Sequence, residues 1–390
     1  MQLRRGERRR TLFAKPAAEL LNSTGLVMLA AIAYFEASGP VKSLLASTPH
    51  MGLLLGPVLV AGLTHWRILP ATAIAVVIML IGCGLVVAGL AASLWLFVLG
   101  VVAAGLAFGC LAPLVAAMWR QNAPAQFRGQ FLSRCLIIGS LSALVVTGLV
   151  SWWLSWVPNG FGEPLIGVGI ALLLTGWSYR RLPSQPLGDG QRSALAGVLT
   201  PLLRDRLFAY ICLTWYILGF GNLLLLPLRA QFAAGSDGLA LPPWQALVAV
   251  AVIPEALSLL TMTLWGRMFD RMNFIVVRML INVFFGTSCF ITFTGPAWGL
   301  LVGSVLFGIA KGGGQVAWSL WVTKFAPPDR TADYMATHTF LTGTRGVLSA
   351  WVAFGLLGTW FSFQQLSWIG GGLVSLATLM LVPVIAHGRR

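Results

Sequence analysis

The chain has 390 residues, 57% of them hydrophobic and only 9% charged, with a mean hydropathy of +0.84. Soluble domains carry about 25% charged residues, so the composition excludes a soluble globular protein and points to a polytopic membrane protein. The net charge of +15 invites a nucleic-acid reading, which the placement of the basic residues refutes.

Uncharged stretches count the crossings. Ile68–Trp119 carries no Asp, Glu, Lys, Arg or His over 52 residues. At about 1.5 Å per residue that is too long for one crossing of a ~30 Å hydrocarbon core and suits two, with a turn at Ala91–Ser93. The same reading predicts helices over 20–44, 49–65, 68–91, 94–118, 131–156 and 164–180. In the second half it predicts 207–229, 243–265, 274–294, 297–322, 334–358 and 364–386. Twelve spans result, six per half. Long apolar runs without period-two alternation exclude a barrel. Residues 182–205 form the one long polar connection, rich in Pro, Gly and Ser, and read as a cytoplasmic linker. The predicted organisation is a six-helix bundle over 1–181, the linker over 182–205 and a second bundle over 206–390.

Of the 26 Lys and Arg residues, 22 fall on one side of these spans. Lys42 and Arg229 fall on the other, and Lys311 and Arg345 fall inside. This asymmetry is the positive-inside rule, so both termini are expected in the cytoplasm. Arginine outnumbers lysine 22 to 4, which associates the chain with a GC-rich bacterial genome and hence a bacterial inner membrane. The Arg8-Arg9-Arg10 start is read as part of the mature chain, because the first half needs the following helix to reach six spans. Cys83, Cys110, Cys135, Cys212 and Cys289 have neither metal nor disulfide spacing and read as packing residues. No metal and no cofactor is expected.

Two polar marks recur about 203 residues apart. Gly62-Leu-Thr-His-Trp-Arg67 and Gly266-Arg-Met-Phe-Asp-Arg271 each sit between apolar runs. Ala123-Pro124 precedes Arg128-Gly129, and Ala326-Pro327-Pro328 precedes Arg330. Repetition of this kind marks a duplicated membrane unit, as in secondary transporters. Six plus six spans, a central linker and marks after spans 2 and 8 resemble the major facilitator superfamily over about the whole chain. The resemblance implies an all-α fold of twelve transmembrane helices in two pseudo-symmetric six-helix bundles. It also implies a gate on the cytoplasmic face built from Gly266, Asp270 and Arg271, with Gly62, Arg67, Arg128 and Arg330 at related places. The first copy departs from the motif, with Trp66 where the second has Asp270. Span 5 lacks the Gly-Pro-rich antiporter motif.

Charged groups inside a bilayer cost roughly 2.5–3.5 kcal/mol each on insertion scales. Glu36 in span 1, Glu255 in span 8, Lys311 in span 10 and Arg345 in span 11 therefore stand out. They read as a proton site with a substrate anchor; the alternative is mutual pairing that only holds helices together. Gly308-Ile-Ala-Lys311-Gly-Gly-Gly-Gln315 puts a cation and an amide one turn apart on one face. Its glycines favour a substrate-contacting hinge, with close helix crossing as the alternative. Spans 1, 4, 7 and 10 line the cavity in the superfamily, which places Glu36, Lys311 and Gln315 there by resemblance, with Tyr34 and Asn222 beside them. Glu255, behind Pro254 in an apolar span, is the better proton carrier, a reading that a pairing with Arg345 or Lys311 would weaken. His338 reads as a helix-interface residue. Trp215 and Trp318 are candidates for stacking on a substrate, and most other tryptophans read as interfacial anchors.

No His-Glu-x-x-His, hydrolase-spaced aspartyl pair or histidine box occurs, so an enzyme is not expected. The expected function is secondary transport of a small polar or anionic solute by alternating access, coupled to protons, by a monomer. Efflux of amphipathic compounds is the first alternative. A non-transporting receptor or assembly factor on the same fold is the second.

Overall fold

The computed structural model describes residues 2–122, 125–186, 198–327 and 330–388. Its chain divides into two compact units, residues 1–196 and 197–390. Unit 1 contains α1 (Gln2–Leu21), α2 (Leu26–Ala33), α3 (Gly39–His65), α4 (Pro70–Gly89), α5 (Leu94–Asn122), α6 (Ala125–Trp156) and α7 (Gly162–Tyr179). Unit 2 opens with the short α8 (Thr200–Arg204) and α9 (Arg206–Ala234). A composite helix follows, made of α10 (Pro243–Leu247), a π-helical turn (Val248–Val252) and α11 (Ile253–Arg271). The rest is α12 (Phe274–Thr292), α13 (Ala297–Leu320), α14 (Val322–Phe325), α15 (Thr331–Leu356) and α16 (Phe363–Leu379). Counting α1–α2 and α10–α11 as one span each, the described residues hold twelve long helices. Eight are long and apolar enough to cross a membrane by those criteria alone.

The helix ends follow local chemistry. Asp205 caps α9 by accepting from Phe208 N (2.9 Å), and Asn273 caps α12 by accepting from Ile275 N (2.9 Å). Ser362 and Gln365 form a reciprocal capping box at the start of α16, which satisfies two of the free N–H groups that every helix start leaves. Pro70 opens α4, where its missing N–H costs nothing.

Both units use the same pairings. In unit 1, α4 packs on α7 and α5, α3 on α5, and α1 on α6 and α7; in unit 2, α12 packs on α16 and α13, α11 on α13, and α9 on α15 and α16. One crossing is copied in detail. A Cβ on Gly109 would strike the Pro49 carbonyl and Gly52, and one on Gly105 would strike Thr48. A Cβ on Gly308 or Gly312 would lie 2.7 Å from the carbonyl oxygen of Pro254 or Ser258. Glycine at such positions lets two helix backbones approach closely.

Two expectations need correction. Span 1 is not 20–44: the membrane-length segment is Gly6–Ala33, and α3 begins at Gly39. Charges that would end a span enter this one because they are paired. Lys15 Nζ lies 3.1 Å from Glu19 Oε1, and Arg10 Nη2 lies 2.8 Å from Glu7 Oε2. Glu36 therefore lies in the exposed turn after α2, with φ +46°, and not within a span. The second correction concerns the repeated marks. Gly62 and Gly266–Arg271 belong to the last turns of α3 and α11 rather than to loops. The linker reading falls partly on residues 187–197, outside the described residues.

Candidate functional site in the second unit

The composite helix α10–α11 widens where it meets α13. Ile253 N–H donates to Val248 O, five residues back, so one extra residue enters the turn just before Pro254 and Glu255. Proline has no N–H to give the helix, and π-turns often mark functional positions. Pro254 and Ser258 meet Gly308 and Gly312, so Glu255 sits at the crossing itself. Lys311, on the same turn of α13, brings Nζ to 2.7 Å from Glu255 Oε2. The carboxylate side chain is 1% exposed and the lysine side chain 15%. Trp265 Nε1 donates to Ile309 O (2.9 Å) and fastens α11 to α13 near the pair.

Glycine here serves close crossing. Through Gly312-Gly313-Gly314 the α13 helix is unbroken, and the three face Ser258, Ile281 with Trp265, and Phe285. In this conformation Gly312 fits the close-crossing alternative, facing the Ser258 carbonyl. The copied crossing also shows what is new in unit 2. Thr48 stands 206 residues before Pro254, and Gly105 stands 203 before Gly308. Those offsets carry Glu255 to Pro49 and Lys311 to Phe108. The scaffold is shared, and the ion pair exists in one copy.

A second polar group lies among α9, α12, α13 and α15. Arg345 (6% exposed) passes Gly219, where a Cβ would collide with its guanidinium, and its Nη1 donates to the Trp215 carbonyl. Arg278 (3% exposed) places Cζ 3.1 Å from the centre of the Trp215 ring. His338 packs edge-on to Trp215 and Trp321, with centroids 5.3 and 5.1 Å away, and also touches Trp318. The interface reading of His338 holds. Trp215 is buried and already engaged by these groups, so it is no free stacking surface in this conformation.

Arg229 is a third buried guanidinium. The sequence places Arg229 at the far end of its span; α9 continues to Ala234 and buries it. Its Nη2 donates to Ser288 Oγ (2.7 Å), and Cζ lies 4.3 Å from the Phe307 ring centre. Ser288 Oγ in turn donates to Gly303 O (2.7 Å).

The remaining expected residues are dispersed. Gln315 stands half-buried one turn after Lys311, and Asn222 lies half-buried on α9 with its Oδ1 unpartnered. Tyr34 belongs to unit 1; it is exposed, with ring centroids 4.8 Å from Phe35 and 4.7 Å from Phe161. Asp270 and Arg271 are exposed at the end of α11. The start of α12 beside them is capped by Asn273 rather than by Asp270. Arg67 is exposed with φ +53°, and the side chain of Arg128 lies outside those described. Arg330 Nε is 3.5 Å from Asp333 Oδ2, and Tyr334 OH donates to Asp205 Oδ2 (3.2 Å). That last bond ties the start of α15 to the start of α9.

Sequence reasoning missed Arg278, Arg229, Glu7 and Glu19 as buried charges. Their signal was visible for Glu19, four residues after Lys15, and for Glu7, three before Arg10, since such spacing forms pairs on a helix. Arg278 looked like a span-edge charge.

No curated protein sequence matches the chain. Solved structures with the same fold include a mutant of the nucleoside transporter NupG, at 15% identity and TM-score 0.76, covering 98% of this chain and 99% of that one. The E. coli xylose transporter XylE, partially occluded and inward open, is 14% identical with TM-score 0.71, covering 100% and 99%. A structure titled D-xylose-proton symporter is 16% identical with TM-score 0.64, covering 97% and 96%. The Major Facilitator Superfamily profile matches residues 17–344. A duplicated all-helical fold, its full-length structural likeness and that profile agree: the chain belongs to the major facilitator superfamily, as a multi-pass membrane secondary transporter and not an enzyme.

Proposed function

We propose that this transporter moves a small polar or anionic solute by alternating access and couples the movement to protons through Glu255 and Lys311. The observation that carries the reading is the 2.7 Å ion pair buried beside a π-turn, present in one of two otherwise copied helix crossings. A buried carboxylate is tolerated while a cation faces it. When Glu255 takes a proton, its hold on Lys311 weakens, and the lysine can turn to an anionic or acceptor group of the solute. When the proton leaves, the pair closes again. Contacts made in one conformer and broken in the other bias the equilibrium between them. Gln315, Arg345 and Asn222 are assigned to the same pathway, and Asp270, Arg271 and Arg330 to a gate on the cytoplasmic side.

The basic residues gathered on one side support an inner-membrane location with both termini cytoplasmic, and the unit of function is taken as one chain. The test is transport by purified protein in liposomes. E255Q is expected to keep solute exchange at equal concentrations and to lose accumulation driven by a pH gradient. K311A is expected to lose both. Wild-type accumulation by both variants would overturn the assignment, and accumulation indifferent to a protonophore would remove the proton coupling.

A further inference from the structure

Arg278 and Arg345 converge on one tryptophan from two helices, and among the described residues no acid follows them. Arg278 lies over the indole ring of Trp215, and Arg345 donates to its carbonyl. Both are at least nine-tenths buried, and their charges repel each other across the site. Among the described residues neither guanidinium meets a carboxylate; the half-buried Arg10, Lys15 and Lys311 each have one, while the buried Arg229 is held by Ser288 and the Phe307 ring. Insertion of an arginine at the bilayer centre costs roughly 2.5–3.5 kcal/mol on translocon scales, and cation–π contact returns about 2 kcal/mol when desolvated. Two arginines with a single ring between them are thus under-compensated.

Polar atoms beside them are also unspent. Arg345 Nε and His338 Nε2 are buried without hydrogen-bond partners. Asn282, one turn beyond Arg278 on α12, is 1% exposed with its Oδ1 unpartnered. His338 and Arg345 are seven residues apart on α15, so they share a face. Asn282 Oδ1 is a neutral acceptor, but among the described residues no anion receives the two guanidinium groups. Buried polar groups in native structures are nearly always satisfied, so a missing acceptor is the simplest completion.

We infer that Arg278, Arg345 and His338 form an oxyanion-binding site, taking a carboxylate or phosphate group whose charge the protein does not supply. Planar guanidinium groups match such oxygens in paired N–H contacts, and Trp215 holds Arg278 flat before the ligand arrives. The inference deepens the proposed function by naming an oxyanion-bearing solute. It concerns binding alone, so it can fail while proton coupling through Glu255 stands, and the reverse.

The experiment is thermal unfolding of purified protein in neutral detergent. Inorganic phosphate and succinate are titrated against chloride at constant ionic strength. Wild type is expected to be stabilised by phosphate or succinate in a saturable manner, as ligand binding to the folded state requires. R345Q and R278Q should lose that saturable shift, while R278K should retain part of it. A headgroup source is tested by mass spectrometry of copurified lipid. Phosphatidylglycerol retained by wild type and lost from R345Q would make the oxyanion a lipid phosphate, which still satisfies the site. Equal responses to phosphate, succinate and chloride, with no arginine-dependent lipid, would overturn the inference. So would a saturable shift that survives R278Q and R345Q, because the anion would then bind elsewhere.

Discussion

Breaking the Glu255–Lys311 pair from either side should give unequal losses. K311M leaves a carboxylate whose side chain is 1% exposed, facing the Pro254–Gly308 crossing with no cation. Removing one partner of a buried pair costs about 3–5 kcal/mol, and only proton uptake by the carboxyl limits that cost. E255Q leaves a lysine whose side chain is already 15% exposed and whose four-carbon stem can turn its charge toward water. Its loss should fall below the range just given. In the double variant both charges are gone, and neutral replacement of a buried pair is often harmless. The singles should therefore sum to more than the double, with a coupling within the roughly 0.5–3 kcal/mol seen for contacting residues. At roughly 2–4 °C per kcal/mol for a unit of about this size, K311M should unfold some ten degrees early and the double variant only a few. The assay is thermal unfolding of the four proteins in one detergent, followed by intrinsic tryptophan fluorescence. Additive losses, or a stable K311M, would refute the claim that the two side chains compensate each other.

Gly219→Ala places a methyl group in the path of the Arg345 guanidinium; the loss should be about 1–3 kcal/mol, typical of overpacking, and R345M in the same chain should relieve it. Gly308→Leu and Gly105→Leu, matched positions of the copied crossing, should each lower the unfolding temperature, and tolerance at either would argue against that crossing. Asp205→Ala removes the cap of α9 and the acceptor of Tyr334, so a loss of about 0.5–2 kcal/mol is expected. D205N should recover most of it, since an asparagine oxygen also caps.

Much of the fold was legible because membrane physics leaves few choices. Apolar length counts spans, and the turn at Ala91–Ser93 falls between α4 and α5 as read. Span 1 was misread for a definite reason. Lys15 and Glu19 look like the end of an apolar run, but their 3.1 Å pairing lets α1 enter the bundle. That shift carries Glu36 out to a turn. The intramembrane charges of unit 2 were recognisable singly, because each interrupts an apolar run. Who pairs with whom was not, since Glu255 and Lys311 are 56 residues apart and meet only through Pro254, Ser258, Gly308 and Gly312. The three glycines of α13 show the limit of local reading. Helix weakness and close packing ask for the same residue, and only the facing backbone tells them apart. Arg278 was misplaced for a related reason, being five residues past the Asn273 cap, where the sequence still resembles a membrane edge.

Transport itself is the most direct test of the central claim. Proteoliposomes preloaded with a panel of small carboxylates, phosphate esters and neutral polar solutes would be diluted into the same labelled solute, and its entry measured with and without a pH gradient. At least one oxyanion-bearing solute is expected to enter, a gradient to drive its accumulation, and E255Q to retain the exchange while losing the accumulation. Entry of neutral solutes alone, or gradient-driven accumulation undiminished in E255Q, would contradict that claim.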